Sequence, residues 1–526
     1  MIKTENNYKR ILISLIPLLA FIPISIFRDI TPNNELRYFS IIDEAIANNY
    51  FFAFYNQGNI YADKPPLYFW IMMVGRKLFG DFLLEFMLIV NLAISFVITY
   101  TMNKWCFTVN QIKQYSAAAL AFLTTGYVMG VIAVVRMDLM MTMFIVLSLY
   151  SFYSLYTNKN IRLNSCLFPV YVFLAIFSKG AVGILIPLLS TIVFLVSEKK
   201  IKDIFIYWGL KTWLILIVLC AIWFTGIYFD GGTEYLNNIL FHQTVNRAVN
   251  SFHHKEPFYF YLWRFWMTAA PWSILFIVTL IKGLKWKVVF KDKLLKFFFV
   301  IIVTSVVMLS IISSKIDIYL IPIYPFVIYL TFVILTKVKS SLIIKISTAI
   351  LPVILILILP CLPFFDKFSP IELSHKMLAY FSAVISFIGG VISLLYIKRN
   401  LILKSVIVSS SALLMLVFFS SFQITPFNEI LGMKNLADKG AELKSKNNAK
   451  SFVSYKAGRT ESMDYYLKEE IITAKTLEEL KDTTLYKRPY ILFLKTKNIS
   501  KDEALKAFID GRKGEKMIFY STFVIE

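Results

Sequence analysis

The chain is 526 residues long, 58% hydrophobic and only 17% charged, against roughly 45–50% and about 25% for average soluble domains; its mean hydropathy is +0.66. These values exclude an ordinary soluble enzyme and a disordered chain, and 19 Gly and 17 Pro without a period exclude a collagen-like repeat. The formal charge of +22 lies mostly in short loops between apolar runs, where Lys and Arg set membrane topology. No basic stripe interleaves with aromatics, so nucleic acid is excluded as a partner and anionic membrane lipids are expected instead.

A bilayer-spanning helix needs about 20 apolar residues. The first run, 10–27, follows Lys9 and Arg10 in the manner of a signal sequence. It is long for one, and no small-x-small cleavage site follows, so a retained first span is expected. Further spans are expected at 82–100, 115–132, 138–157, 166–178, 180–197, 204–228, 265–282, 297–313, 318–336, 343–364, 377–397 and 401–420, about thirteen in all. The apolar stretch 166–197 is divided at Ser178-Lys179-Gly180, because only then do the basic loops all stay inside. That topology puts 28–81, 133–137, 229–264, 314–317 and 365–376 outside, together with 421–526.

The first outside loop carries two helical apolar patterns, Leu36, Phe39, Ile42, Ile46 and Leu67, Trp70, Ile71, Val74. Both are expected to lie in the membrane interface without crossing it. Loop 229–264 is rich in Tyr, Phe, Trp and His, which suits a water–lipid boundary. Residues 1–420 thus form a membrane domain. The tail 421–526 is Lys- and Glu-rich, with β-like runs at Ser451–Tyr455, Ile471–Ala474, Tyr490–Lys495 and Met517–Ile525 between helical patterns at 428–446 and 500–510. It is expected to be a small soluble α/β domain. No repeat of fixed period supports a repeat-built transporter. Cys106, Cys166, Cys220 and Cys361 are widely spaced without a CxxC, so neither a zinc site nor a disulfide framework is indicated.

An ionisable residue at membrane depth is a functional candidate, because burying it is costly unless it pairs or lines a wet cavity. The candidates gather on the outside face. Glu35 and Arg37 are two apart and face apart on a helix. They read as a cavity carboxylate with a cation for phosphate, or as a solvated loop. Pro65-Pro66 hold Lys64 extended beside Asp63; a fixed Lys is a point charge for phosphate, the alternative being a charged turn. Asp138, after Arg136, either favours a helix dipole or projects into a cavity. Lys179 reads as a snorkelling end residue, the alternative being phosphate binding. Arg247 suits a bidentate phosphate clamp, while His253-His254 lack the companions of a metal site. Tyr319, after Lys315 and Asp317, is either a phosphate donor or an interfacial belt residue. No GxSxG, Walker loop or GxGxxG occurs in a strand–turn–helix setting, which argues against nucleotide hydrolysis and a dinucleotide cofactor. An energy-rich donor used on this face would be lipid-linked.

The ordered set Glu35-Leu36-Arg37-Tyr38, Tyr61-Ala62-Asp63-Lys64-Pro65-Pro66-Leu67-Tyr68-Phe69-Trp70, Leu78-Phe79-Gly80, Arg136-Met137-Asp138, Arg247, His254 with Pro257-Phe258-Tyr259-Phe260-Tyr261, and Lys315 through Pro322 with Pro325 resembles the GT-C fold glycosyltransferases. It is most similar to the bacterial aminoarabinose transferases that modify lipid A. The resemblance covers roughly the first 330 residues. It implies a multi-pass enzyme of the bacterial inner membrane with its site facing the periplasm. The implied donor is a sugar on undecaprenyl phosphate, such as 4-amino-4-deoxy-L-arabinose, and the implied acceptor is a lipid A phosphate. It further implies that Lys64, Arg247 and Tyr319 bind the donor phosphate and that Glu35, Arg37 and Asp138 line the cavity. Tyr61, Asp63, His254 and Lys315 fall in the matched motifs as substrate-binding candidates. Asn34 stands where the family often has its first carboxylate, so Glu35 is the candidate for that duty. Since a single lipid phosphate is the leaving group, no metal and no cofactor is expected. Another lipid-linked sugar (galactosamine or mannose), a protein acceptor, or a transporter of lipid-linked anions are the alternatives.

Overall fold

Inside a bilayer no water satisfies backbone N–H and C=O groups, so apolar runs must close their hydrogen bonds internally, as helices do. The computed structural model describes residues 15–110, 115–240, 256–368, 373, 375–458, 460–482 and 485–526. Helix α1 (Ile16–Phe27) is followed by α2 (Glu35–Asn48), the short hairpin β1 (Tyr55–Asn56) and β2 (Asn59–Ile60), α3 (Leu67–Phe79) and α4 (Leu83–Asn110). Next come α5 (Tyr115–Leu123), α6 (Gly126–Ile132), α7 (Asp138–Tyr156), α8 (Ile161–Lys179), α9 (Val182–Ser197) and α10 (Leu210–Asn237). The membrane part ends with α11 (Phe260–Thr268), α12 (Ser273–Lys285), α13 (Lys293–Ile311), α14 (Tyr324–Lys337), α15 (Leu342–Phe368), α16 (Lys376–Lys398) and α17 (Ile402–Ser421).

Among the described residues, nine helical runs are long and apolar enough to cross a membrane, and α11 with α12, a pair bent by 116°, adds a tenth only where the two act as one span. The chain is a multi-pass membrane protein. Of the other expected spans, α1 and α9 are apolar but short, and 115–132 is broken into α5 and α6. The break has a local cause. Thr124 and Thr125 donate their hydroxyls back to the carbonyls of Leu120 (2.7 Å) and Ala121 (2.9 Å), and Thr125 turns extended at ψ 125°. Between α8 and α9 the chain reverses at Gly180, whose φ of +99° favours glycine.

One expected interfacial helix differs in two ways. Helix α3 continues through a single 3-10 turn (Gly80–Phe82) into α4, a 40-residue run with its break only at Gly80. Its buried face is Tyr68, Phe69, Met72, Met73 and Gly75, whereas Val74 on the expected face is exposed. Nearly every position of α3 is apolar, so the sequence period does not single out a face. By contrast α2 buries the expected Leu36, Phe39 and Ile42.

Past α17 the chain forms α18 (Lys434–Lys446), β3 (Ser451–Tyr455), β4 (Ile471–Ala474), β5 (Tyr490–Lys495), α19 (Glu503–Ile509), β6 (Gly514–Lys516) and β7 (Tyr520–Ile525). The sheet order is β4-β3-β5-β7-β6, with β3 parallel to β4 and β5, and β7 antiparallel to β5 and β6. The helical pattern 428–446 is interrupted at the extended Gly432. The last run begins as a strand only at Tyr520, and β6 is an edge strand that the polar sequence Gly514-Glu515-Lys516 does not announce.

This unit seats on α2 and the turn before it. Asn428 accepts from the Asp29 N–H (2.9 Å) and donates to the Phe27 carbonyl (2.8 Å). Farther along, Ser40 donates to Asp464 (2.8 Å), Lys468 pairs with Asp43 (3.3 Å), and Tyr465 meets Phe39 edge to face at 5.2 Å. Gly432 lies so close to Asp29 that a Cβ there would stand 2.3 Å from the Asp29 Cβ.

Candidate active site

The site is assembled from helix ends. Asp138 opens α7 and Lys179 closes α8; the two helices pack side by side, so both residues reach the same end of the bundle. Asp138 is fully buried (side chain 1% exposed) and Lys179 nearly so (8%). The Lys179 ammonium contacts the Asp138 carboxylate directly. It also sits 4.9 Å from the centre of the Tyr319 ring, a cation–π geometry. The second Asp138 oxygen receives Arg136 at 3.3 Å, and Lys64 is near enough for its charge to act on Asp138. A buried pair of this kind is tolerable only with good geometry and further hydrogen bonds. Here two more cations and an aromatic face supply them.

Around this pair stands a ring of residues from the first loop. The Arg37 guanidinium covers Tyr61 at 5.0 Å and donates to the Asn34 side chain (3.1 Å). Tyr38, on the same turn of α2, lies among the charges of Arg136, Asp138, Arg37 and Asp63. Burial pushes its hydroxyl up to about 12, so it stays protonated as a donor. Structure therefore brings Asp138, Lys64, Arg37, Tyr61, Asp63 and Tyr319 together.

The loop bearing Tyr61, Asp63 and Lys64 is fixed from α10. Asp230 accepts from the consecutive N–H groups of Phe51 (2.8 Å), Phe52 (2.6 Å) and Ala53 (2.8 Å). Tyr235 accepts from the Phe54 N–H (3.1 Å) and donates to the Tyr61 carbonyl (2.9 Å). Loop 133–137 is fixed from two sides. Asn91 of α4 donates to the carbonyls of Ile132 (3.1 Å) and Val134 (2.8 Å), while the Val135 N–H is taken by Glu35.

Glu35 corrects an expectation. The sequence reading makes it a catalytic carboxylate; the structure places it one layer beneath the site, 1% exposed and gripped on both oxygens. One oxygen accepts from Arg28 Nη2 (2.7 Å) and Val135 N–H, the other from Arg28 Nη1 (2.8 Å) and Thr31 N–H (2.7 Å). Burial alone raises its pKa, but the Arg28 guanidinium and these N–H groups hold it below the usual carboxylate range. With four donors in place it has no oxygen left for substrate, and its task is to fasten loop 133–137, hence Arg136 and Asp138. Lys315 is a second correction. Expected at the substrate, it is 4% exposed and donates to the Glu256 carbonyl (2.9 Å). Arg247 and His254 lie outside the described residues. Lys179, which the sequence favours as a snorkelling end residue, is instead a buried member of the site. Its signal was an ammonium inside an otherwise unbroken apolar run.

A family model for dolichyl-phosphate-mannose-protein mannosyltransferases matches residues 63–223. An undecaprenyl phosphate-alpha-4-amino-4-deoxy-L-arabinose arabinosyl transferase of Pseudomonas fluorescens is 22% identical over 300 residues, 55% of this chain and 51% of that protein. The chain thus spans about half the length of the curated relatives it matches. Two crystal structures of ArnT from Cupriavidus metallidurans, one bound to undecaprenyl phosphate and one in the apo state, superpose with TM-scores of 0.74 and 0.76 at 15% identity. They cover 98% and 99% of this chain and 97% and 98% of theirs. The chain therefore has the fold of these two structures over nearly its whole length, and its first loop and early helices are similar to the mannosyltransferase family model.

Proposed function

We propose that the chain is a glycosyltransferase of the bacterial inner membrane that moves a sugar, of the 4-amino-4-deoxy-L-arabinose type, from undecaprenyl phosphate to a lipid A phosphate at the periplasmic face. The observation that carries this reading is the buried Asp138–Lys179 pair facing Tyr319, with Lys64 and Arg136 beside it. Such an arrangement concentrates fixed cations where a lipid phosphate would leave.

In the proposed step the bond between the anomeric carbon and the donor phosphate oxygen breaks, and its electron pair stays on that oxygen. An acceptor phosphate oxygen forms the new bond from the opposite side, inverting the centre through an oxocarbenium-like transition state. Charge builds on the departing phosphate, so Lys64, with Tyr319 donating, lowers the barrier in a water-poor site. The acceptor is already anionic at neutral pH and needs no strong general base. Asp138 then orients Lys179 and Arg136, and Arg37 with Tyr61 shapes the sugar side. Mass spectrometry of lipid A from cells with and without the gene tests the reading. An added pentosamine mass on a phosphate is expected, and identical lipid A from both strains under expression of the protein would overturn it.

A further inference from the structure

Among the described residues, helix α11 presents an exposed apolar stripe. Tyr259, Leu262, Trp263, Trp266 and Met267 recur at the spacing of one helix face, and all are exposed, Trp263 at 69%. The opposite face, Tyr261 and Thr268, is buried. At nine residues the helix is about 13.5 Å long, too short to cross a bilayer, and it meets α12 at 116°. A short helix with one apolar and one buried face suits the membrane boundary, its stripe toward lipid.

At the border of that stripe stands a cation held in place. Arg264 grips both oxygens of Asp317, through Nε at 2.6 Å and through Nη2. Its third nitrogen, Nη1, is turned toward the Met267 sulfur (4.0 Å), on the stripe side. The side chain is one-third exposed. Three consecutive residues tie this segment to the site hairpin. Lys315 binds the Glu256 carbonyl, the Ile316 carbonyl accepts from Tyr261 (3.4 Å), and Asp317 holds Arg264. Two residues beyond Asp317 is Tyr319, whose ring carries Lys179. On the other flank α6 is fixed to the α11–α12 corner by the Gly126 N–H on the Ala270 carbonyl (2.8 Å). The half-buried Tyr127 stands there among the charges of Asp317, Arg136, Arg264 and Asp138.

A planar arginine whose Nη1 edge meets the weak thioether acceptor of Met267 suits a phosphate. An apolar face running away from it suits the chains that such a phosphate would carry. We propose that α11 is the seat of the lipid acceptor: Arg264 and Tyr127 take one phosphate of a phosphorylated glycolipid, and Leu262, Trp263, Trp266 and Met267 take its acyl chains. This rests on the transferase reading above and adds the acceptor's place, on the segment that Asp317 ties to the hairpin bearing Tyr319.

The test uses the full chain in nanodiscs with p-benzoylphenylalanine replacing Trp263, an exposed position whose change disturbs no packing. Under light it should capture lipid A carrying its phosphates at least tenfold over phosphatidylethanolamine and over lipid A stripped of phosphate. Arg264→Gln should abolish that preference. In transfer assays it should raise the acceptor KM at least tenfold and leave the donor KM unchanged, while Arg264→Lys regains part of the loss. Equal capture of all lipids would mean ordinary bilayer contact and overturn the proposal. So would a preference that survives Arg264→Gln, or a rise confined to the donor KM. Should Arg264→Gln fail to fold, Leu262→Ser on the stripe must still weaken capture, and unchanged capture counts against the seat. Selective capture by a protein that transfers no sugar would support the seat and defeat the transferase reading, so the two failures are separable.

Discussion

Lys179 and Asp138 are 41 residues apart in sequence and touch at one end of the α7–α8 hairpin, beneath the ring of Tyr319. Removing one partner of a buried pair leaves an uncompensated charge and costs about 3–5 kcal/mol. Lys179→Met is therefore expected to lower the melting temperature sharply in detergent. The double variant Lys179→Met with Asp138→Asn should recover most of that stability and none of the transfer. Thermal unfolding alongside a transfer assay separates the two. Full activity in the double variant would remove the pair from the site.

Lys64 is held by the Pro65-Pro66 step and by a loop that Asp230 and Tyr235 fix. Lys64→Ala should fold and insert normally, since the side chain is only half-buried. Loss of one preorganised donor costs about 2.7–4 kcal/mol in barrier, or roughly 10²–10³ in kcat. Turnover of undecaprenyl-linked donor by the purified variant measures this. Near wild-type turnover would remove Lys64 from the phosphate site.

Glu35 links stability to pH. Its folded pKa lies below its unfolded value of about 4.3. It therefore adds stability that is complete above the unfolded pKa and is lost as pH falls through the folded one. Glu35→Gln should be less stable at pH 7, because Arg28 loses its bidentate partner, and should lose less on going from pH 5 to pH 3. Melting temperatures across that range check the sign. Parallel curves for wild type and variant would show that the carboxylate is not charged when folded.

Gly183 lets α8 and α9 approach. A Cβ there would stand 2.4 Å from the backbone carbon of Ala175, which has no room to yield. Gly183→Ala is expected to cost about 1–3 kcal/mol as overpacking. By tilting the end of α8 it should move Lys179, so activity should fall further than stability alone explains at a temperature where the variant is folded.

Much of this was legible in the sequence, for physical reasons that also mark where legibility stops. Apolar runs gave the helices because lipid leaves the backbone no other way to satisfy itself. The division at Ser178-Lys179-Gly180 followed from loop charge. The α2 face was readable because Glu35, Arg37, Asp43 and Glu44 leave a clear apolar stripe, whereas α3 offered no polar contrast and its face was misread. Glu35 stood out as a charge among apolar residues, yet its partner Arg28 lies seven residues back across a turn, a distance no helical spacing rule covers. The Asp138–Lys179 contact depends on two spans packing in one register, which local pattern cannot supply.

The docking of the last hundred residues on α2 has a consequence for how the molecule is made. Asn428 and Asp464 hold atoms 399 and 424 positions earlier, and β7, the central partner of β5 and β6, ends one residue before the C-terminus. During synthesis the helix carrying Arg37 and Tyr38 is made about four hundred residues ahead of Asn428 and Asp464, so its clamp cannot close until those residues have emerged. A nascent chain thus holds the cationic pocket unfinished in the membrane, and competence arrives late, once that clamp has been made.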